Sequence, residues 1–303
     1  MGHDHHDHHD HAPKDFGLAF AVATLLNFAL VATQVIYGLS AHSIALLADA
    51  GHNFGDALGL LLAWGAHVLA RRRPSERFTY GLRSASILSA LINAVMLLVA
   101  TGAIAWEAFR RFSDPGEVAG LTVMVVAGVA VVVNAVSAWF LMAGRERDLN
   151  VRSAFLHLVA DAAVSVGVVL AGAIILLLGW VWIDPLVSLL IAGVIVWTTW
   201  DLLRESLQMS MNAVPAAIEP SDVCGYLETL PGVASIHDLH IWAMSTTEIA
   251  LTCHLVMPQG HPGDGFIARV SHDLAHRFQI AHPTFQIELG DGEPCPLAPA
   301  HVV

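Results

Sequence analysis

The sequence predicts a polytopic α-helical membrane protein with a small α+β domain at its C-terminal end. Three observations carry that fold class. Of the 303 residues, 55% are hydrophobic and only 13% are charged, against about 25% charged in soluble domains, and the mean hydropathy is +0.62. Apolar runs long enough to cross a bilayer recur six times. From about residue 213 the sequence turns Pro-containing and mixed in polarity, as in a soluble layer.

Residues 1–15 hold six histidines, His3, His5, His6, His8, His9 and His11, interspersed with aspartates. This low-complexity stretch is expected to be a disordered, metal-attracting tail; an expression tag is the alternative, although tags are usually pure histidine runs. No apolar signal-peptide core is seen, so the N-terminus is expected in the cytoplasm.

The six transmembrane helices are expected over about 16–38, 43–70, 82–109, 118–143, 152–179 and 184–207, a membrane domain of 16–210. Arg71, Arg72, Arg73, Arg77 and Arg83 crowd the second connection, and Arg145, Arg147 and Arg152 the fourth, while the first and fifth have none. This bias places the N-terminus, both arginine-rich connections and the C-terminus in the cytoplasm. Arg110 and Arg111 in the third connection run against it, with Glu107, Asp114 and Glu117 close enough to temper them.

Beyond the last span, Glu219–Leu230 reads as a helix with Pro220 and Ser221 near its start. Val233–Trp242 and Glu248–Met257 read as strands, Pro262–Phe278 as a helix and Thr284–Leu289 as the last strand. The order αββαβ makes a two-layer cytoplasmic α+β domain over 213–290, followed by a tail at 291–303.

Three cysteines, Cys224, Cys253 and Cys295, are odd in number and form no CxxC pair, which fits free thiols in a reducing compartment. The net charge is −12 with neutral histidines, and no basic block points to nucleic acid. The 18 histidines are the compositional outlier.

Two of them define a pattern inside the spans. His52 and Asp56 lie in SIALLADAGHNFGDALGL, and His157 and Asp161 in FLHLVADAAVSVGV. Residues four apart share a helix face, so each span presents an imidazole beside a carboxylate. An aspartate at the bilayer centre costs about 2.5–3.5 kcal/mol on insertion scales. Polar residues can also serve helix packing alone, but two such pairs facing each other would supply two nitrogens and two oxygens. That set suits a divalent metal, Zn²⁺ in a tetrahedron, with Cd²⁺ and Co²⁺ as substitutes. Only neutral imidazole ligates metal, so protons compete with the ion and an alternating site would exchange one for the other. Asp49 shares the face of His52 and Asp56, either orienting His52 or making a structural hydrogen bond. Asn27, Gln34, Asn93 and Asn134 are further polar residues in the spans, best explained by interhelical hydrogen bonds. No GxxxxGK[ST] phosphate loop and no HExxH motif accompanies the pairs.

On these stretches, together with RFTYGLRSASILSALINA, WIDPLVSLLIAGVIV, IHDLHIW and HPTFQIE, the chain resembles the cation diffusion facilitator family, in its zinc and heavy-metal-resistance branch. The motifs run in order from about 16 to 290. The resemblance implies a homodimeric, proton-coupled exporter with six transmembrane helices and a cytoplasmic ferredoxin-like domain. It places His52, Asp56, His157 and Asp161 at the transport site. The chain departs from the pattern in the second connection, where Phe78 and Leu82 stand in place of frequent histidines. An interfacial metal site there is therefore expected to be absent or weakened, since Glu76 alone cannot make one. Gln34 stands where relatives often carry Glu, against a proton-relay role at that position.

In the cytoplasmic domain, strand alternation is expected to put His237 and Leu239 on one face and Asp238 and His240 on the other. Relatives carry a regulatory metal around the positions matched by His237, His254, Gln286 and Glu288. The expected ligands are His237, His254 and Glu288, aided by His240 or His282; Gln286 is a poor ligand. Cys295 is either a thiolate donated from the partner chain or an inert thiol. The alternative is a set of polar residues at a dimer interface. His261, His272 and His276 are expected to be solvated, and Cys224 and Cys253 to be packing residues.

The leading expectation is thus Zn²⁺/H⁺ antiport out of the cytoplasm, not an enzyme, with Zn²⁺ as substrate and regulatory ion. Its partners are a second copy, divalent ions, protons and the lipid bilayer, in a bacterial cytoplasmic membrane. Cd²⁺, Co²⁺ or Ni²⁺ as main substrate is the runner-up. A non-transporting membrane metal sensor is a second class. An intramembrane metalloenzyme is disfavoured, because four protein ligands leave no open position on the metal.

Overall fold

The computed structural model describes residues 16–114, 116–142, 149–290, 292 and 295–299. The histidines at 3–11 lie outside these residues, as do Arg145 and Arg147. Six long helices come first: α1 (Phe16–Ser40), α2 (Ile44–Ala70), α3 (Ala85–Ser113), α4 (Gly120–Met142), α5 (Leu149–Leu178) and α6 (Ile183–Ser210). The shortest, α4, has 23 residues and rises about 35 Å, beyond the roughly 30 Å of a bilayer's hydrocarbon core. Helices α3 to α6 each contain a stretch long and apolar enough to cross a membrane, and α1 and α2, with 25 and 27 residues, match them in length. The protein is a multi-pass membrane protein.

The chain forms two compact units, Met1–Ala57 with Leu97–Val196, and Leu58–Met96 with Trp197–Val303. In the first, a tight turn with His42 at φ 52° joins α1 to α2. The core is built from small and branched residues, including Ala45, Leu46 and Ala48 of α2, Val123 and Ala127 of α4, Val168 of α5 and Ile191 and Ile195 of α6. Small side chains let helices approach without a hydrophobic driving force between them. The extreme case joins α4 and α5. A Cβ on Gly172 would sit 2.8 Å from the Met124 nitrogen and 2.9 Å from the Gly120 carbonyl oxygen, and one on Gly120 would sit 2.8 Å from the Gly172 oxygen. Only hydrogen fits at both positions.

The start of α2 is held from α6. Asp184 accepts the backbone N–H groups of Ile44 at 2.7 Å and Ala45 at 3.4 Å, and the hydroxyl of Ser43 donates to it. A carboxylate at these orphan donors also complements the positive end of the helix dipole. Nearby, Arg111 donates to the His42 carbonyl oxygen and to Glu107 at 3.3 Å, while Arg110 lies 3.5 Å from Glu107. Both arginines that dissent from the charge bias are therefore engaged locally.

In the second unit the soluble part follows the expected order: α7 (Pro220–Glu228), β1 (Ser235–Ala243), β2 (Ile249–Val256), α8 (Asp264–Phe278) and β3 (Ile280–Glu288). The sheet order is β1-β2-β3, with β2 antiparallel to β1 and parallel to β3. Val223 and Leu227 of α7 and the stripe Phe266, Val270 and Leu274 of α8 bury against Leu251, Cys253 and Leu255 of β2. Both helices thus lie on one face of the sheet, and alternation turns His254 to the other.

Two expectations fail here. The last strand begins at Ile280 rather than Thr284, because Gln279 ends α8 in the left-handed conformation and β3 starts at once. Pro283 lies within this strand, which is an edge strand, where a missing N–H is tolerated. The expected alternation along His237–His240 is also broken. His237 pairs with His254 and His240 with Thr252, so β1 carries one extra residue in a bulge with Asp238 at φ 51°. The bulge brings His237 and His240 to the same face and turns Leu239 into the core.

Candidate metal centres

The i,i+4 pairs of α2 and α5 meet in the first unit. His52 Nε2 is 3.2 Å from Asp161 Oδ1, and His157 Nε2 is 3.2 Å from Asp56 Oδ2 and 3.5 Å from Asp161 Oδ2. Within α2, His52 Nδ1 is 3.7 Å from Asp56 Oδ2. The four side chains close a ring in which imidazole and carboxylate alternate. A tetrahedral ion with bonds of about 2.0–2.1 Å spaces neighbouring ligand atoms about 3.3 Å apart, the scale of these approaches. Ligand atoms of His52, Asp56 and Asp161 lie within 4.8 Å of one another. The buried atoms His52 Nδ1 and Asp56 Oδ2 have no hydrogen-bond partner. Asp161 is buried, whereas the His157 side chain is 48% exposed, so the ring is open on that side.

Asp49 sits beside the ring without a hydrogen bond to His52. Its Oδ2 accepts from Gln34 Nε2 at 2.5 Å and Ser165 Oγ at 3.1 Å, and Asn53 Nδ2 donates to Gln34 Oε1 at 3.2 Å. Gln34, Asp49, Asn53 and Ser165 are fully buried. The amide at 34 and the Asp49 carboxylate are thus part of a network tying α1, α2 and α5 together.

A second cluster forms on the helix-free face of the sheet. His254 Nδ1 is 3.3 Å from His237 Nε2 and 3.0 Å from Glu288 Oε1, and His237 Nε2 is 3.3 Å from Glu288 Oε2. Cys295 of the same chain brings its Sγ to 3.7 Å from His254 Nδ1, so a thiol reaches the cluster in cis. His237, His254, Glu288 and Cys295 can each offer an atom within 4.8 Å of the others. Burial raises the Glu288 carboxyl pKa, but hydrogen bonds from the Cys295 thiol and the Gln286 amide, with the two imidazoles, hold it below the usual carboxylate range. Burial pushes the Cys253 thiol up to about 12; it packs in the core and takes no part.

The remaining expected ligands lie outside this group of four. Gln286 donates to Glu288 at 3.0 Å and so orients that carboxylate. His240 bonds Asp238 at 2.9 Å. His282 is exposed and meets the Tyr80 ring edge to face, with centroids 5.7 Å apart. Asp238, which is not among the expected ligands, brings its Oδ2 to 3.4 Å from His254 Nε2. A carboxylate on the far nitrogen is the usual support of a metal-bound imidazole. Strand alternation pointed Asp238 away, and only the bulge brings it here.

Residues 20–209 match the family described as cation efflux transmembrane domain, and residues 215–289 match the cytoplasmic domain of cation efflux proteins. Among curated relatives, a cadmium, cobalt and zinc/H⁺-K⁺ antiporter of Bacillus subtilis is 33% identical, covering 95% of this chain and 92% of its own. The zinc transporter ZitB of Escherichia coli is 33% identical over 97% of this chain and 94% of its own. The metal cation efflux system protein CzcD of Cupriavidus metallidurans is 33% identical over 98% of this chain and 92% of its own.

Proposed function

The chain belongs to the cation diffusion facilitator family, in its zinc and heavy-metal exporter branch, and from that premise we propose that it moves Zn²⁺ out of the cytoplasm in exchange for protons. The observation that carries this reading is the closed ring of His52, Asp56, His157 and Asp161. Two neutral imidazoles and two carboxylates neutralise a divalent ion and replace its hydration shell at a depth where water is scarce. When the ion leaves, the same nitrogens and oxygens take up protons, because a bare carboxylate pair buried beside neutral imidazoles is costly. Metal and protons therefore occupy the ring in alternation, which is the requirement for antiport. Cd²⁺ and Co²⁺ are secondary substrates in this reading, supported by the same donor set and by the relatives' names. Four protein ligands leave no position for a reacting water, so the site transports rather than catalyses.

The functional form is a homodimer in a bacterial cytoplasmic membrane, with both termini in the cytoplasm. The cluster at His237, His254, Glu288 and Cys295 binds a second Zn²⁺, held within one chain and steadied by Asp238 on His254. Its separations of 3.0–3.7 Å suit a tetrahedral ion with one thiolate.

The test is Zn²⁺ flux in proteoliposomes under an imposed pH gradient. Asp161→Ala is expected to abolish zinc-driven proton movement. Binding of zinc without translocation in the unsubstituted protein would instead make it a sensor. Flux unchanged in Asp161→Ala would remove the ring from the mechanism.

A further inference from the structure

A cavity of about 530 Å³ opens within the second unit, and none of the ligand residues of either cluster lines it. Its wall includes Arg71 at the end of α2, Arg83, Ser89 and Asn93 on and before α3, and Thr246 and Glu248 in the β1–β2 turn. We propose that this cavity binds a phosphate ester, with Arg71 and Arg83 as its oxyanion partners.

The lining states the chemistry it lacks. Arg83 pairs with Glu248, but Arg71 has no carboxylate partner among the described residues. Ser86 is already committed, donating to the Arg83 carbonyl oxygen at 3.0 Å and accepting the N–H of Thr246 at 3.1 Å. Among the described residues, the hydroxyls of Ser89 and Thr246 have no acceptor. The cavity thus offers one uncommitted cation, one half-committed cation and two free hydroxyls to a group rich in acceptor oxygens, which describes phosphate. Asn93 also belongs to the lining, and its Oδ1 has no hydrogen-bond partner. That acceptor calls for a donor on the ligand, a hydroxyl or an ammonium, which bare inorganic phosphate offers poorly and a phosphate ester carries on its alcohol side. The cavity sits at the ends of two membrane-length helices beside the arginine-rich connection, where lipid phosphates of the cytoplasmic leaflet gather. A lipid headgroup and a soluble phosphate ester share this chemistry.

The proposal is independent of the transport reading, since its readout is binding. Full-length protein in detergent is titrated with dioctanoyl phosphatidylglycerol, glycerol 3-phosphate and dioctanoyl phosphatidylcholine, and bound adducts are counted by native mass spectrometry. Arg71→Gln is expected to weaken binding of the phosphate esters about fivefold, the equivalent of about 1 kcal/mol for one basic residue near a headgroup, and Arg71→Lys to restore most of it. Thr246→Val, a turn substitution that removes only the hydroxyl, is expected to weaken binding in the same direction. Tighter binding of phosphatidylglycerol than of glycerol 3-phosphate assigns the cavity to a lipid; the reverse order assigns it to a soluble ester. Binding of phosphatidylglycerol and glycerol 3-phosphate that is indifferent to Arg71→Gln and Thr246→Val overturns the proposal. So does a shift in oligomeric state as the only effect of those variants.

Discussion

Asp184, at the start of α6, caps a helix that begins 140 residues earlier in the chain, accepting the Ile44 N–H at 2.7 Å. Its carboxylate is fully buried and also takes the Ser43 hydroxyl and the Ala45 N–H. Helix α2 carries His52 and Asp56, so its axial position is fixed from α6. Asp184→Ala leaves these donors unmatched and is expected to destabilise the protein by about 2–4 kcal/mol, since hydrogen bonds to a buried charge are worth about 1.5–3 kcal/mol each. Asp184→Asn, which keeps one acceptor oxygen, is expected to fall between. Thermal unfolding in detergent measures both; an Ala variant as stable as the parent would show the cap to be ornamental.

The glycine contact between α4 and α5 predicts a sharp steric penalty. In Gly172→Ala the new methyl lies within 3 Å of backbone atoms at Met124 and Gly120, which no side-chain rotation relieves. The helices must separate, and overpacking of this kind costs about 1–3 kcal/mol. Gly128→Ala, in the same helix as Gly120 but with open space around it, is the matched control. A lower unfolding temperature for the first and none for the second is expected.

The ion pair between Arg83 and Glu248 joins the start of α3 to the β1–β2 turn, alongside the Ser84 hydroxyl donating to the Met244 carbonyl oxygen at 3.2 Å. Its side chains are 40% and 37% exposed. Water screens such a pair, so its own coupling is expected at about 0.2–1 kcal/mol. A double-mutant cycle with Arg83→Gln and Glu248→Gln, read by chemical unfolding, checks this. A coupling several times larger would mean that the pair acts within the wider turn network.

The thiols separate by environment. Burial above all, then Cys224 and Asp238, keeps Cys253 protonated up to about pH 12, against an ordinary value of 9.0. The folded thiol holds its proton more tightly than the unfolded one. Its contribution to stability is therefore complete below pH 9.0 and fades as pH climbs toward about 12. Iodoacetamide at pH 8 is expected to spare Cys253 while modifying Cys295, and Zn²⁺ is expected to protect Cys295. Mass spectrometry of the peptides reads all three outcomes, and zinc protection that persists in His254→Ala would exclude a shared ion.

The legible and illegible parts of this protein differ in range. Both His-xxx-Asp pairs could be read because helix periodicity is local and their hydrophobic surroundings make the exceptions conspicuous. The αββαβ order followed from local alternation in the same way. Asp184 showed no sign of its role, since a cap contributed across 140 residues leaves no spacing to recognise. Asp238 was misdirected by alternation itself, because one left-handed residue in β1 shifts the pattern. His282 looked like a ligand beside Gln286 and Glu288, but four positions along β3 carry it to Tyr80. Cys295 was expected to act across the dimer, if at all, and instead folds back on its own chain.

With no side chain between Gly120 and Gly172, α4 and α5 behave as a single girder. His157 and Asp161 ride on that girder, while His52 and Asp56 ride on α2. Neither pair can be dismantled internally, because i,i+4 spacing is fixed by the helix. The ring can therefore be broken only across the seam between α2 and α5, where the 3.2 Å approaches lie. Under the proposed function, an ion held by all four residues would work as a rivet: its presence would lock the two bodies together, and its departure would free them to slide.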